Sequence, residues 1–199
     1  PVEYGVNYSD MHVTGIQADL KRFKPSPDSV SFFIQSLRFT ERSGFRLDNM
    51  SAEFSESKTF LAFRNISLVT PNSQMQGDEI SLRFKDWGQC KGDSFVRFVK
   101  LNIKLNPSNI NLQDIGYFAP ALRNTVQMVS LSGQIRGPVS NLKGRKLEIG
   151  YGNGSVIKGG FILEGLPDLR STFIHADIKQ FMSWSDEIES LQLPGQRTI

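Results

Sequence analysis

The sequence predicts a mostly β protein, built as a long antiparallel meander with two short helices near 111–122 and 183–191. Three observations carry this. Apolar residues recur at every second position in run after run, the period of a strand with one covered face. Most of these runs are separated by short clusters of Gly, Pro, Asn, Asp and Ser, the residues that turn a chain. Finally, 15 of the 199 residues are Phe against 4 Tyr and 2 Trp. Phe has no polar handle, so that much of it demands apolar cover.

Val2–Phe23 reads as two strands, with Tyr4, Val6 and Tyr8 alternating and Met11, Val13 and Ile16 forming a weaker set. Lys24-Pro-Ser-Pro-Asp28 is a loop, because two prolines remove two ladder donors. Val30–Thr40 is a strand expected to place Phe33, Leu37 and Phe39 on one face. Glu41-Arg-Ser-Gly44 turns the chain. In Phe45–Phe54 the alternation changes face between Leu47 and Met50, which predicts a bulge at Asp48-Asn49. Phe60–Val69 and Gln74–Lys85 follow, joined by Thr70-Pro-Asn-Ser73, and Ile80, Leu82 and Phe84 share a face. Trp87–Asp93 reads as a polar loop. Phe95–Leu105 then reads as one long strand, with Phe95, Val99, Leu101, Ile103 and Leu105 on one side and Lys100, Asn102 and Lys104 on the other. Arg97 breaks that stripe. Asn106-Pro-Ser108 is expected to stop the strand before a short amphipathic helix, Asn111–Phe118, with Asp114 in its first turn.

Met128–Ile135 alternates through Val129, Leu131 and Ile135. Leu147, Ile149 and Tyr151 form the next strand. Gly152-Asn-Gly154 predicts a tight hairpin, with Val156–Glu164 returning. Ser171–Lys179 is the last strand, and Ser183–Leu191 is helical, ended by Pro194. The two helical stops correspond: each has a capping residue, an Asp three positions on, and a proline. Asp114 and Asp186 lie 72 residues apart, which suggests sub-repeats over 25–122 and 123–195. The whole 1–199 stretch reads as one β-rich segment.

The residues offer no catalytic chemistry. His12 and His175 are the only histidines, and neither has a nucleophile motif around it. Asp10 and His12 give two metal ligands without a third. The glycines at 150, 152, 154, 159 and 160 lack the Gly-Lys-Ser/Thr of a phosphate loop and sit in a hairpin context. Asp186, Glu187 and Glu189 fit a solvated helix face. The lone Cys90 excludes an internal disulfide. Net charge is +3, and Lys and Arg alternate with apolar residues rather than clustering, apart from Lys143–Lys146. That is the pattern of a wet sheet face and not of a nucleic-acid binder. The expectation is therefore no catalytic residues, no metal, no cofactor and no nucleic acid. Pro1-Val-Glu-Tyr4 has neither an initiator Met nor a signal-peptide pattern, so the chain reads as an internal fragment.

Glu41-Arg-Ser-Gly-Phe-Arg-Leu-Asp-Asn-Met-Ser51 and Asn65-Ile-Ser-Leu-Val-Thr-Pro-Asn-Ser73 resemble runs of the TamB branch of the AsmA-like envelope proteins, particularly those of Bacteroidetes. Leu112–Pro120, Leu131–Gly137, Val139–Gly144, Leu163–Asp168 and Thr172–Ile178 add to the likeness, which spans about Pro27 to Pro194. The resemblance implies a sheet curled into an open U-shaped groove, a β-taco. It further implies a periplasm-spanning protein of a Gram-negative bacterium, anchored in the inner membrane through a terminus outside this fragment. Its groove would conduct phospholipid between the membranes, or assist outer-membrane protein assembly with a barrel partner. The alternation above supplies the groove candidates: Phe33, Leu37, Phe39, Ile80, Leu82, Phe84, Phe95, Val99, Leu101, Ile103, Leu105, Val129, Leu131, Ile135, Leu147 and Ile149. The competing architecture is an ordinary β-sandwich that binds protein or carbohydrate, in which a second sheet covers the same apolar face. A sugar site would display Trp or Tyr on a strand, and both Trp87 and Trp184 fall outside the strands of this reading.

Overall fold

In a computed structural model, residues 5–6, 10–118, 122, 125–168, 171–185 and 187 are described. Ten strands account for 65% strand content. They are β1 (Val13–Ser26), β2 (Ser29–Glu41), β3 (Arg46–Ser57), β4 (Phe60–Val69), β5 (Gln74–Arg83), β6 (Lys100–Asn111), β7 (Met128–Gly137), β8 (Asn141–Tyr151), β9 (Ser155–Glu164) and β10 (Phe173–Met182). All ten join one antiparallel sheet in sequence order, with β1 and β10 at its edges. The extensive strand contacts are all between sequence neighbours. The described strands therefore form no second sheet over either face, and the sandwich alternative does not hold for this architecture. The sheet is open and its apolar face has no β partner.

The hairpins put alternate connections at opposite ends of the strands. One rim carries the turns 42–45, 70–73 and 152–154 together with helix α2 (Leu112–Gly116). The other carries 27–28, 58–59, 84–99, 138–140 and 165–172. The latter rim is tied together by backbone bonds from Phe84 to Thr59, Ser140 to Val96, and Gly165 to Ser140. Among the described residues, the predicted second helix is represented by Ser185 and Glu187; Asp186 and 188–199 lie outside them.

Two elements depart from the sequence expectation. Trp87–Cys90 is a 3₁₀ turn and Gly92–Phe98 is an α-helix, α1. The Asp86 side chain caps the first by accepting from the Gly88 amide at 2.8 Å, and Asp93 sits in the first turn of the second. Phe95 and Val99 are spaced i, i+4, so the same residues satisfy a helical stripe as well as a strand stripe. Arg97 fits only the helix. The second departure is Pro107, which does not stop β6. The ladder shifts register between Leu105 and Ser108, so Pro107 sits in a bulge where its missing N–H costs no ladder bond.

Register shifts recur in most strand pairs, including the predicted bulge at Asp48-Asn49. Each extra residue inverts the alternation on one strand. The inversions match the apolar residues, so one face stays apolar throughout. Three non-glycine residues with positive φ, Arg22, Asn65 and Lys146, lie beside such shifts.

A candidate apolar groove across ten strands

Residues paired across antiparallel strands share a face. Following the register from β2 to β10 gives Phe32, Phe54, Phe63, Ile80, Ile103, Ile135, Gly144, Phe161 and Ala176 in one transverse row. Phe23 of β1 extends it. Ring centroids lie 6.1 Å apart for Phe23–Phe32, 4.6 Å for Phe32–Phe54 and 5.2 Å for Phe54–Phe63. Parallel rows flank this one. Leu61, Leu82 and Leu101 lie on one side; Ile66, Gly77, Leu105 and Gly133 lie on the other, followed by Leu131, Ile149, Ile157 and Phe181. Ten strands at about 4.8 Å spacing make the track about 43 Å long.

The opposite face is polar. The row next to the aromatic one reads Phe33, Glu53, Arg64, Glu79, Lys104, Gln134 and Arg145. Glu79 is held below the ordinary carboxylate range chiefly by the Ser81 hydroxyl, helped by Asn102, Arg64 and Lys104 and opposed by burial. One sheet thus separates an apolar surface from a hydrogen-bonded polar one.

The structure brings together Leu37, Phe39, Ile80, Leu82, Leu101, Ile103, Leu105, Val129, Leu131, Ile135, Leu147 and Ile149 on the apolar face. It places four candidates elsewhere. Phe33 is on the polar face, paired with Lys21 and Glu53 and beneath the Arg22 guanidinium, 5.5 Å from the ring centroid. The bulge at Gln35-Ser36 inverts β2, so Phe32 and Ile34 share a face with Leu37 and Phe39. Phe95 and Val99 belong to α1 and its C-cap, where Val99 is fully buried. Phe84 lies just past β5, buried against Trp87 with centroids 4.6 Å apart. Sequence reasoning missed Phe32, Phe54, Phe63 and Phe161, whose signal was the raw Phe count without a register.

The face is crowded sideways. A Cβ on Gly144 would lie 2.5 Å from side-chain atoms of both Leu147 and Phe161, so these side chains occupy the space above a bare backbone. A hollow of about 610 Å³ opens against β8–β10, and Arg145, Glu148, Lys158, Gly160, His175 and Asp177 put most of its lining on the polar face.

Two carboxylates fasten helical segments to hairpin turns on one rim. Asp114 of α2 is buried and accepts from Thr70 Oγ1 (2.5 Å), Ser73 Oγ (2.5 Å) and Asn72 Nδ2 (3.1 Å). Tyr117 and Phe118, just beyond α2, then pack on Phe45 at 5.7 and 4.8 Å. Glu187 is buried on the β8–β9 turn and accepts from the Asn153 amide and Ser155 Oγ. The correspondence seen in sequence between Asp114 and Asp186 therefore has Glu187 as the residue on the hairpin. Replacing Asp114 by Ala leaves two buried hydroxyls and an amide without their acceptor. The expected cost is about 3 kcal/mol, read as a lowered urea midpoint, with Asp114→Asn losing less.

Glu187 is held below its ordinary value of 4.5, first by the Ser155 hydroxyl and then by the Asn153 amide, against the opposing effect of burial. A carboxylate lowered on folding stabilises the fold fully above its unfolded value, and loses that contribution as pH falls through the folded one. The fastening is therefore expected to hold near neutral pH and to open in acid below 4.5. Amide exchange at Asn153 and Ser155 should accelerate there first; acceleration already at neutral pH would contradict it.

Among the described residues no group of three or more His, Cys, Asp or Glu is placed to hold a metal, and no helix is long and apolar enough to cross a membrane. Comparison of the chain with protein-family models, curated proteins and solved structures finds no match.

Proposed function

We propose that the chain is a non-enzymatic segment of an AsmA/TamB-like envelope protein of a Gram-negative bacterium. Its apolar face carries phospholipid acyl chains across the periplasm. The inner-membrane anchor belongs to the whole protein, and an outer-membrane barrel is the proposed partner if the groove serves assembly. The observation that supports this reading is the apolar track, which crosses every strand and has no second sheet over it.

The physics suits a conduit. Apolar burial stabilises a chain by about 25 cal/mol per Å² and has no preferred direction. A row of Phe, Ile and Leu side chains holds an acyl tail without fixing its register, so the tail can slide. On the order of 800 Å² of sheet face is apolar, taking the track length and about 20 Å of width, above the largest patch of an ordinary monomer.

Native mass spectrometry of the chain expressed in a Gram-negative host tests the proposal. Co-purified phospholipid is the expected result. A photoreactive residue at Phe63 should crosslink lipid, while one at the neighbouring Arg64, on the other face, should not. A lipid-free chain under gentle extraction, or equal crosslinking from both positions, overturns the reading.

A further inference from the structure

The connection between β5 and β6 is a surface that neither the fold nor the groove explains. It holds Trp87, 42% exposed, and Phe98, 56% exposed. Around them are Arg83, Lys85, Lys91, Arg97 and Lys100, all exposed. Residues 83–100 carry these five cations against two acids, Asp86 and Asp93, so this segment matches the net +3 of the whole chain.

The cations are also unneutralised. Elsewhere Lys21, Arg42, Arg46, Lys58, Arg64, Lys158 and Lys179 each reach a carboxylate. Among the described residues, none of the five on this rim has an ion pair. Arg83 stands directly opposite Lys100 on β5 and β6. Two strands away Arg136 stands opposite Lys143, both exposed, at the same ends of their strands. Like charges placed directly opposite destabilise a sheet. Arg22, Lys24, Arg38, Lys104, Arg145 and Lys146 also lack an ion pair among the described residues, but only on this rim do two strand pairs set cations directly opposite one another.

We infer that this rim docks on an anionic bilayer surface. Exposed aromatics with a cationic surround are the chemistry of the membrane interface: Trp and Phe enter the headgroup boundary while Lys and Arg meet lipid phosphates. A bilayer needs no shaped cleft, and a 3₁₀ turn followed by a seven-residue helix provides none. The contact lies at the strand ends, apart from the transverse row that forms the groove.

The test uses the 199-residue chain in a Trp184→Phe background, so that Trp87 is the sole tryptophan and is excited selectively at the long-wavelength edge of its absorption, where tyrosine hardly absorbs. Vesicles of phosphatidylcholine alone are compared with vesicles containing phosphatidylglycerol, by flotation and by Trp87 emission. The expected result is flotation with the anionic vesicles only, weakened by added salt. Trp87 emission should shift to the blue and be quenched by lipids brominated in their acyl chains. Partitioning should fall about fivefold for each cation removed, measured with Lys85→Gln and Arg97→Gln, whose fold is checked by circular dichroism. No flotation with anionic vesicles, or binding unchanged by the charge variants, overturns the inference. So does stronger capture by a polyglutamate peptide than by vesicles, which would assign the rim to an acidic protein. Ile103→Asp, in the groove, should dock normally. Loss of docking in that variant with retention in the rim variants would assign vesicle binding to the groove and overturn the rim site.

Discussion

Ile103→Asp is expected to empty the groove while leaving the sheet folded. Ile103 lies in the middle of the transverse row, between Ile80 and Ile135, and is half-buried. Its side chain meets water or an occupant on an open face, so in the empty protein a carboxylate there remains hydrated. An acyl chain crossing the row would strip that hydration. Each methylene in contact with the face contributes about 0.8 kcal/mol, and leaving one ionised group dry and unpaired costs more than several of them together. Co-purified phospholipid should fall by more than tenfold, with a urea midpoint close to the parent chain's. Gln134→Glu, on the polar face between Lys104 and Arg145, is the matched control and should keep its lipid. If both variants lose lipid equally, the sidedness of the sheet does not govern binding.

That sidedness was only partly legible in the sequence. Strand existence was plain wherever alternation ran uninterrupted, as in Leu101–Leu105. The hairpins at Glu41–Gly44, Thr70–Ser73 and Gly152–Gly154 carried their own turn chemistry. A face, however, is a property of the register, and one extra residue inverts every side chain that follows. Phe33 shows the failure. Counting by twos joined it to Leu37 and Phe39, but the bulge at Gln35-Ser36 gave that face to Phe32 and Ile34. Neither Gln nor Ser marks a bulge by its own conformation, so no local signal was present. At Asp48-Asn49 the apolar pattern itself changed phase, and there the bulge could be read. Phe95–Val99 failed for a different reason: five residues cannot separate a period of 3.6 from one of 2 when the apolar positions satisfy both. The break at Arg97 was the one mark of the helix.

The rim fastenings show what pairwise geometry adds. Asp114 was legible as a residue of the first helical turn, where a helix dipole favours an acid. Its use is different: it reaches back more than forty residues to the Thr70–Ser73 turn. That turn was read as a local reversal, yet its Thr and Ser hydroxyls and Asn amide are also the docking site for α2. Glu187 serves the β8–β9 turn in the same way. Both helical segments are thereby held at one rim, where Phe45, Leu47, Ile110 and Tyr151 are buried. Ile34, Ala52, Ile66 and Leu147 are buried within the apolar face, and Phe84 and Val99 at the other rim. Phe32, Phe54, Phe63, Ile80, Ile103 and Ile135 of the transverse row are only half-buried, so that row stays accessible.

Gly133→Ala should cost the fold far more than a methyl added at a glycine with open space around it. Gly133 has φ +126°, a conformation L residues rarely adopt. A Cβ would lie 2.6 Å from the Lys146 carbonyl oxygen and 2.9 Å from Leu147 Cα. Both are backbone atoms of the β8 bulge, where Lys146 itself has φ +50°, so no rotamer change relieves the overlap. Strain and forced strand separation together should cost about 3 kcal/mol or more, seen as a lower urea midpoint. Gly15→Ala is the control: φ is +64° with nothing within 4 Å of the added methyl, so only backbone strain of about 1 kcal/mol applies. The difference between the two isolates the close approach of β7 to β8. That approach lets Leu147 lie across Gly133 on the apolar face. Prying the strands apart should therefore displace Leu147 from the apolar face as well as weaken the fold, and Gly133→Ala should retain less phospholipid than Gly15→Ala even where both are fully folded.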